Sequence, residues 1–319
     1  MTRDELTYEG QEEVRLDRFL SEVYPSLSRN YFEKVISKGH VLVNHKPSKK
    51  SQKLQPLDEI FVDFPPLDPL ELSPVKMDIP VYYEDDDLAL VYKPPKLVSH
   101  PAAGTHEPTL IHGLLYRFLE LQGLDSVRPG LVHRLDKDTS GIMVIAKNLH
   151  THELLSNQFR AREVKKTYLA LVHRSLERIE VNAQIGRSLN DRKKMSIQPQ
   201  TGKEASTLFI PISSSNGCTL VKALPKTGRT HQIRVHLQHI HHPIVGDPLY
   251  GFFGSDKPLN PPRILLHAYN LEFIHPHTKK LLSFSSPLPP DFSLFLERMG
   301  FDTSEIQDPT CYRCENSGL

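Results

Sequence analysis

RPGLVHRLDKDTSGIMVIA, residues 128 to 146, changes character at its middle. Up to Ser140 it crowds His133, Arg134, Asp136, Lys137, Asp138, Thr139 and Ser140 behind the apolar pair Leu131 and Val132. From Gly141 to Ala146 it is a short apolar run of the kind that forms a strand. So many ionisable groups at a strand edge exceed what folding requires. Working outward, Leu88 to Tyr92 is another short apolar run, and His150 to Arg160 reads as a helix. From about Pro80 to Leu288, strands and fewer helices mix without regular alternation, which predicts an α+β domain rather than a doubly wound sheet.

Three chemistries compete for the charged loop. Asp136-x-Asp138-x-Ser140-Gly141 matches the opening of a calcium loop, but its twelfth position is Lys147, where a bidentate glutamate is required. An Asp-x-Asp phosphotransfer site would need Mg²⁺ to neutralise its carboxylates, yet Arg134 and Lys137 already flank the acids and no third carboxylate cluster stands out. The third is a single nucleophilic or electrostatic aspartate, held ionised by arginine and used on a polyanionic substrate. Two segments support it. KKTYLALV (165–172) is a basic step into an apolar strand that places Tyr168 beside a site, and GRTHQIRVHL (228–237) breaks at glycine into a helix with His231, Arg234 and Leu237 at three-residue spacing. Taken alone, Tyr168 also fits a core position and Arg234 a structural ion pair.

The chain has 319 residues and a formal net charge of +1, which conceals an uneven distribution. Arg128 to His236 carries 19 Lys+Arg against 8 Asp+Glu, net +11, and the rest carries 20 against 30, net −10. The basic middle fits either a solvated helical face or a polyanion-binding surface. Cys218, Cys311 and Cys314 are too few for a disulfide framework, and the C-x-x-C pair is only half a zinc site. No apolar run reaches the roughly 18 residues of a membrane helix, and the opening MTRDELTYEGQEE is unlike a signal sequence; a cytoplasmic protein is expected.

Five segments are expected: a polar leader at 1–12, a small αβ module at 13–64, a proline-rich linker at 65–79, the main domain at 80–290 and a C-terminal extension at 291–319. Within the module, Leu16, Phe19, Leu20, Val23 and Tyr24 give one helical face. Ser28 caps a second helix with Tyr31, Phe32, Val35 and Ile36 inside, ended by Gly39. His40 to Asn44 reads as a strand, His45-Lys46-Pro47 as a turn and Glu59 to Asp63 as a closing strand.

LDRFL, LSRNYFEKVISKGHVLVN and LDEIFV in this module resemble the S4 RNA-binding domain. That resemblance implies RNA contacts from Arg18, Arg29, Lys34 and Lys38, although these also fit ordinary surface charges. HRLDKDTSG, KKTYLALV and GRTHQIRVHL, with YKPPKLVSHPAAG (92–104) and GDPLYG (246–251), resemble the RluA-type pseudouridine synthases. The S4-like module points to the branch that modifies large-subunit (23S) ribosomal RNA, and residues 186–207 look most like the member acting on the helix 69 stem-loop.

The resemblance implies a central antiparallel sheet crossed by a catalytic cleft, and an isomerase that turns uridine into pseudouridine without metal or organic cofactor. Asp136 matches the family's essential aspartate, which attacks the nucleotide or takes the ribose C2′ proton. Arg234 matches its charge partner, and Tyr168 the tyrosine that packs on the base. Arg134 matches the arginine that replaces the extruded nucleotide in the stack. Arg187, Arg192, Lys193 and Lys194 are expected to hold RNA beside the cleft, while His133 is expected to be structural. The implied partner is structured RNA, free or in a ribosomal precursor particle, with no membrane. A catalytically silent RNA-binding or assembly protein of the same fold is the rival reading.

Overall fold

A computed structural model describes residues 2–24, 27, 29–64, 72–101, 107–124, 128–191, 193–304, 306 and 313–315. The chain divides into two units, Met1–Glu71 and Leu72–Leu319.

The first unit contains β1 (Thr2–Thr7), β2 (Val14–Arg15), α1 (Leu16–Val23), α2 (Arg29–Ser37), β3 (Val41–Val43), β4 (Lys46–Pro47), β5 (Lys53–Leu54) and β6 (Glu59–Phe64). Leu16 and Leu20 of α1 face Phe32, Val35 and Ile36 of α2, because residues three and four apart share a helix face; Val41, Ile60 and Val62 complete this core. Asp17, fully buried, is held by the Arg15 guanidinium at 3.0 and 2.9 Å. Gly39, at φ +81°, ends α2 as expected.

Two readings of this unit need correction. The segment read as a polar leader contributes β1, which pairs with β6 along its whole length, Thr2 opposite Phe64 to Thr7 opposite Glu59. The turn lies at Asn44 and His45, both left-handed at φ +50° and +61°, and Lys46–Pro47 already pairs back onto Leu42 and Val43. Two consecutive left-handed residues match the twist of a tight hairpin, for which asparagine is suited. The Ser28 cap and most of the linker, including Pro65, Pro66 and Pro69, lie outside the described residues.

The second unit comprises β7 (Val81–Glu84), β8 (Leu88–Lys93), α3 (Leu110–Arg117), β9 (Ser140–Ala146), α4 (Leu149–Ala161), β10 (Lys165–His173), β11 (Ile179–Arg187), β12 (Met195–Ile197), β13 (Lys203–Ser215), β14 (Cys218–Pro225), α5 (Gln232–His239), α6 (Phe253–Leu259), β15 (Leu266–Ile274), β16 (Leu281–Ser285), α7 (Pro290–Arg298) and β17 (Arg313–Glu315). One sheet runs β12-β11-β13-β14-β10-β15-β9-β8-β7, with β16 and β17 branching from β15. Its pairs are antiparallel except β15 with β9, which are parallel over His267–Ser140 and Ala268–Gly141 only. Beyond that point β16 takes over the same edge of β15, from Asn270 to Ile274, so the sheet forks. Gly141 sits at φ +129°, and a β-carbon there would fall 2.2 Å from the Ala268 carbonyl oxygen, so the junction requires glycine.

Alternating residues of one strand feed different cores. Leu169 and Leu171 of β10 pack with Phe292, Phe295 and Leu296 of α7, whereas Ala170 and Val172 pack with Ile233 and Leu237 of α5. Met143 and Ile145 of β9 meet α3, and Ile142 and Val144 lie in the core that includes Leu155 of α4. Helices thus cover both sides of β9 and β10, which explains their unbroken apolar runs.

The C-terminal segment read as an extension is part of this domain, since α7, Met299, Phe301 and Ile306 belong to its core. The second half of the expected linker also belongs here: Leu72, Met77 and Ile79 pack against α3, and the Val75 amide donates to the His112 carbonyl at 2.9 Å. Cys218 is buried with a free thiol. Cys311 lies outside the described residues, and Cys314 falls within β17.

Candidate active site

Asp136 lies on the loop that enters β9, and this loop is fixed on both sides of it. The Ser99 hydroxyl donates to the Leu135 carbonyl at 2.8 Å, and the ammonium of Lys93 donates to the carbonyls of Pro94, Leu97 and Lys137 at 2.8, 2.8 and 3.0 Å. Lys93 is completely buried, and that burial pushes its pKa down to about 7. Because the unfolded chain then holds more protons than the folded one between about pH 7 and 10.5, this lysine makes folding stability rise with pH across that window. Urea unfolding at pH 7 and pH 9 should show wild type gaining on Lys93→Met as pH rises. An unchanged difference would show that Lys93 keeps its solution behaviour. The substitution should also slow catalysis about tenfold by loosening the loop under Asp136.

The His133 ring is tied into the domain. Its Nε2 accepts from the Val144 amide at 3.0 Å, its ring stacks on Phe159 with centroids 4.7 Å apart, and desolvation pushes its pKa down to about 3. Thr139 and Ser140 are buried, and the Ser140 hydroxyl meets His267 Nδ1 at 3.0 Å and accepts from Arg263 at 3.1 Å.

The Asp136 carboxylate opens on a cleft of about 630 Å³, a normal ligand-pocket size. Arg134, exposed, lines it on the same loop, and Tyr168 lines it from β10. The pairing of β10 with β15 shifts register between Thr167 and Tyr168, a bulge of the kind that re-aims a side chain. Burial first, and the Asp136 charge second, raise the Tyr168 pKa above the ordinary phenol value, so its hydroxyl stays protonated.

Arg234 comes from α5, and its Nη1 lies 3.4 Å from Asp136 Oδ2. Its tighter partner is Asp247: Nε and Nη2 each donate to one of its carboxylate oxygens at 2.8 Å. Asp247 also accepts from the amides of Leu249 and Tyr250 at 2.8 and 3.0 Å. Burial opposes the Arg234 charge, but the bonds and charge of Asp247, then the charge of Asp136, outweigh it and raise its pKa. Gln232, also buried, clamps the loop before α5: its carbonyl accepts from Thr227 and the Arg229 amide, and its amide donates to Ser206 and Thr207.

GDPLYG and GRTHQIRVHL carry no local sign of the contacts made by Asp247, Tyr250, His231 and Gln232. Arg187 ends β11, and Lys193 and Lys194 precede β12, but none of the three lines the cleft; Arg192 is outside the described residues. The cations that do line it, besides Arg134 and Arg234, are Arg128, Arg160, Arg162, Lys166, Lys226 and Arg229, with Asp136 the single acid among the described lining residues. In the first unit Arg18 is paired with Glu22 at 2.8 Å, Lys34 and Lys38 are exposed, and the Arg29 side chain is not described.

The forked sheet thus frames a cleft in which one carboxylate stands among arginines and lysines, a charge pattern complementary to a polyanion. Residues 87–239 match the family model for RNA pseudouridylate synthase, and residues 14–60 match the S4 domain. The chain is 39% identical over 294 residues to an uncharacterized RNA pseudouridine synthase of Bacillus subtilis, covering 91% of this chain and 96% of that one. It is 37% identical over 309 residues to the ribosomal large subunit pseudouridine synthase D of Neisseria meningitidis, covering 91% and 81%. Among solved structures, human RNA pseudouridylate synthase domain containing 1 superposes with a TM-score of 0.56 at 28% identity, covering 68% of this chain and 87% of that chain. The chain belongs to the RNA pseudouridine synthases, enzymes that isomerise uridine in RNA, and carries an S4 domain in front.

Proposed function

We propose that this protein converts uridines of large-subunit ribosomal RNA to pseudouridine in the cytoplasm, with Asp136 acting on the nucleotide. The observation that carries the reading is the single carboxylate of Asp136 in a cleft otherwise charged by arginine and lysine, with Tyr168 and Arg234 on the same cleft. The similarity to a ribosomal large subunit pseudouridine synthase supports the choice of RNA.

The reaction breaks the bond from ribose C1′ to uracil N1 and forms one from C1′ to C5; the C5 proton leaves to solvent and N1 takes one up. Substrate and product have the same atoms, so no redox partner or group donor is consumed. A stacked uridine hides C1′ and C5, so the nucleotide must be extruded, at a cost of a few kcal/mol. Arg134, exposed at the cleft, offers a planar cation to take its place in the stack. Tyr168 then offers a ring for the extruded uracil and a protonated hydroxyl near C5. Cations facing phosphates release counterions, so binding should weaken steeply with salt.

Carbodiimide mapping of ribosomal RNA with and without the gene tests the reading. Pseudouridine signals in large-subunit RNA that vanish without the gene support it; their persistence, or losses confined to transfer RNA, would refute the target. The S4 domain has its own core and is proposed to supply affinity rather than chemistry. Removing residues 1–71 should raise the RNA concentration for half-maximal conversion about tenfold or more while changing the single-turnover rate less than about threefold. The opposite pattern would give the S4 domain a part in the chemistry.

A further inference from the structure

We propose that His231 is a positioning residue for the Asp136 carboxylate, fixed by Tyr250 as the tautomer that carries its proton on Nε2. The inference rests on Asp136 acting on the nucleotide and extends to residues with no role assigned so far.

The chain of contacts runs from backbone to carboxylate. The Met195 amide donates to the Tyr250 hydroxyl oxygen at 2.8 Å, so that oxygen already serves as an acceptor. The phenol's one proton is then directed at His231 Nδ1, 2.9 Å away. With Nδ1 accepting, the ring proton resides on Nε2. That atom faces Asp136 Oδ2 at 3.8 Å, the same oxygen that Arg234 approaches at 3.4 Å. Both donors converge on Oδ2, which leaves Oδ1 for the nucleotide. The open distances suit an unliganded site, where catalytic hydrogen bonds commonly tighten once substrate is bound.

Two further observations show that the ring is placed with care. His231 holds the left-handed conformation, φ +56° and ψ +18°, unfavourable for a residue with a side chain, at the position just before α5. Tyr250 touches both neighbours of Asp136: its ring meets the His231 ring edge-on at 5.6 Å, and the Arg234 guanidinium lies 5.0 Å over its face. The charged groups facing His231 are Asp136 and Asp247 on one side of the balance and Arg234 and Arg134 on the other. Burial is the largest influence and, despite the carboxylates, lowers the imidazole pKa.

The test compares two amides in the full-length enzyme. In His231→Gln the side-chain nitrogen can reach the Nε2 position and still donate to Asp136; in His231→Asn it occupies the Nδ1 position and cannot. With ribosomal RNA transcripts tritiated at uridine C5, single-turnover tritium release should fall about tenfold in His231→Asn, at an RNA concentration for half-saturation within about twofold of wild type. His231→Gln should recover most of the loss. A wild-type rate in His231→Asn, an equal loss in both variants, or a loss confined to half-saturation would each overturn the proposal. Should His231→Asn fail to fold, Tyr250→Phe removes the proton that fixes the tautomer, and a wild-type rate there would also overturn it. Asp136→Asn separates the two ideas: activity in that variant removes the underlying reading, whereas its inactivity beside a fully active His231→Asn removes only this one.

Discussion

Asp136→Asn is expected to lower pseudouridine formation by about a thousandfold or more while leaving fold and RNA binding in place. Asparagine has nearly the same shape, so it can occupy the loop between the Ser99 and Lys93 anchors, which bind backbone carbonyls and not the carboxylate. What it lacks is the charge and basicity needed to attack the nucleotide or remove a ribose proton. The substitution does not strand Arg234, because the bidentate pair with Asp247 remains. Melting temperature and RNA affinity should therefore stay near wild type while tritium release disappears. Substantial release from a purified Asp136→Asn enzyme would mean that another group performs the chemistry.

Asp247→Ala should do the reverse and damage stability first. It removes both oxygens that hold the guanidinium of a buried arginine, along with the acceptor for the Leu249 and Tyr250 amides. Deleting one partner of a buried ion pair typically costs about 3–5 kcal/mol, because the remaining charge stays desolvated without compensation. For a domain of this size that corresponds to a fall of about 10 °C in melting temperature. Activity should fall as well, since Arg234 loses the support that aims Nη1 at Asp136. Adding Arg234→Met to Asp247→Ala discriminates between the two effects. It should restore much of the melting temperature by removing the stranded charge, but no activity. If Asp247→Ala alone melts like wild type, the pair contributes far less than its geometry implies.

Local pattern explains what could be read before the fold was seen. The runs at Leu88 to Tyr92 and Gly141 to Ala146 are strands because their partners bury both faces, and the spacing of Tyr31, Phe32, Val35 and Ile36 is that of α2. The charged loop stood out because so many ionisable groups gather next to an apolar strand, but the choice of Asp136 within it came from the resemblance to the pseudouridine synthases. β1 was not legible, since TRDELT is polar and becomes a strand only against β6, more than fifty positions away. Asp247 was hidden for a related reason. GDPLYG announces a tight turn, and Gly246 at φ +76° makes it, but nothing in the segment says that its aspartate faces a helix 13 residues upstream. The cations that line the cleft could not be read from the chain, because residues distant along it meet there. Arg187, Lys193 and Lys194 cluster in sequence, whereas Arg160, Lys166 and Arg229 come from separate elements and meet only in the fold.

The two-residue seam between β9 and β15 has a consequence in time as well as in space. Asp136 belongs to the β7–β8–β9 side of that seam and Arg234 to the other, 98 positions later. The hairpin of β13 and β14 joins near neighbours in the chain and closes a short loop, so it should form early; the seam closes a long one and should form late. Half-folded chains would thus already hold ordered hairpins and still lack a catalytic centre. During refolding from urea, far-ultraviolet ellipticity should recover ahead of isomerase activity, which makes the chemistry itself the reporter of the last native contacts to be made.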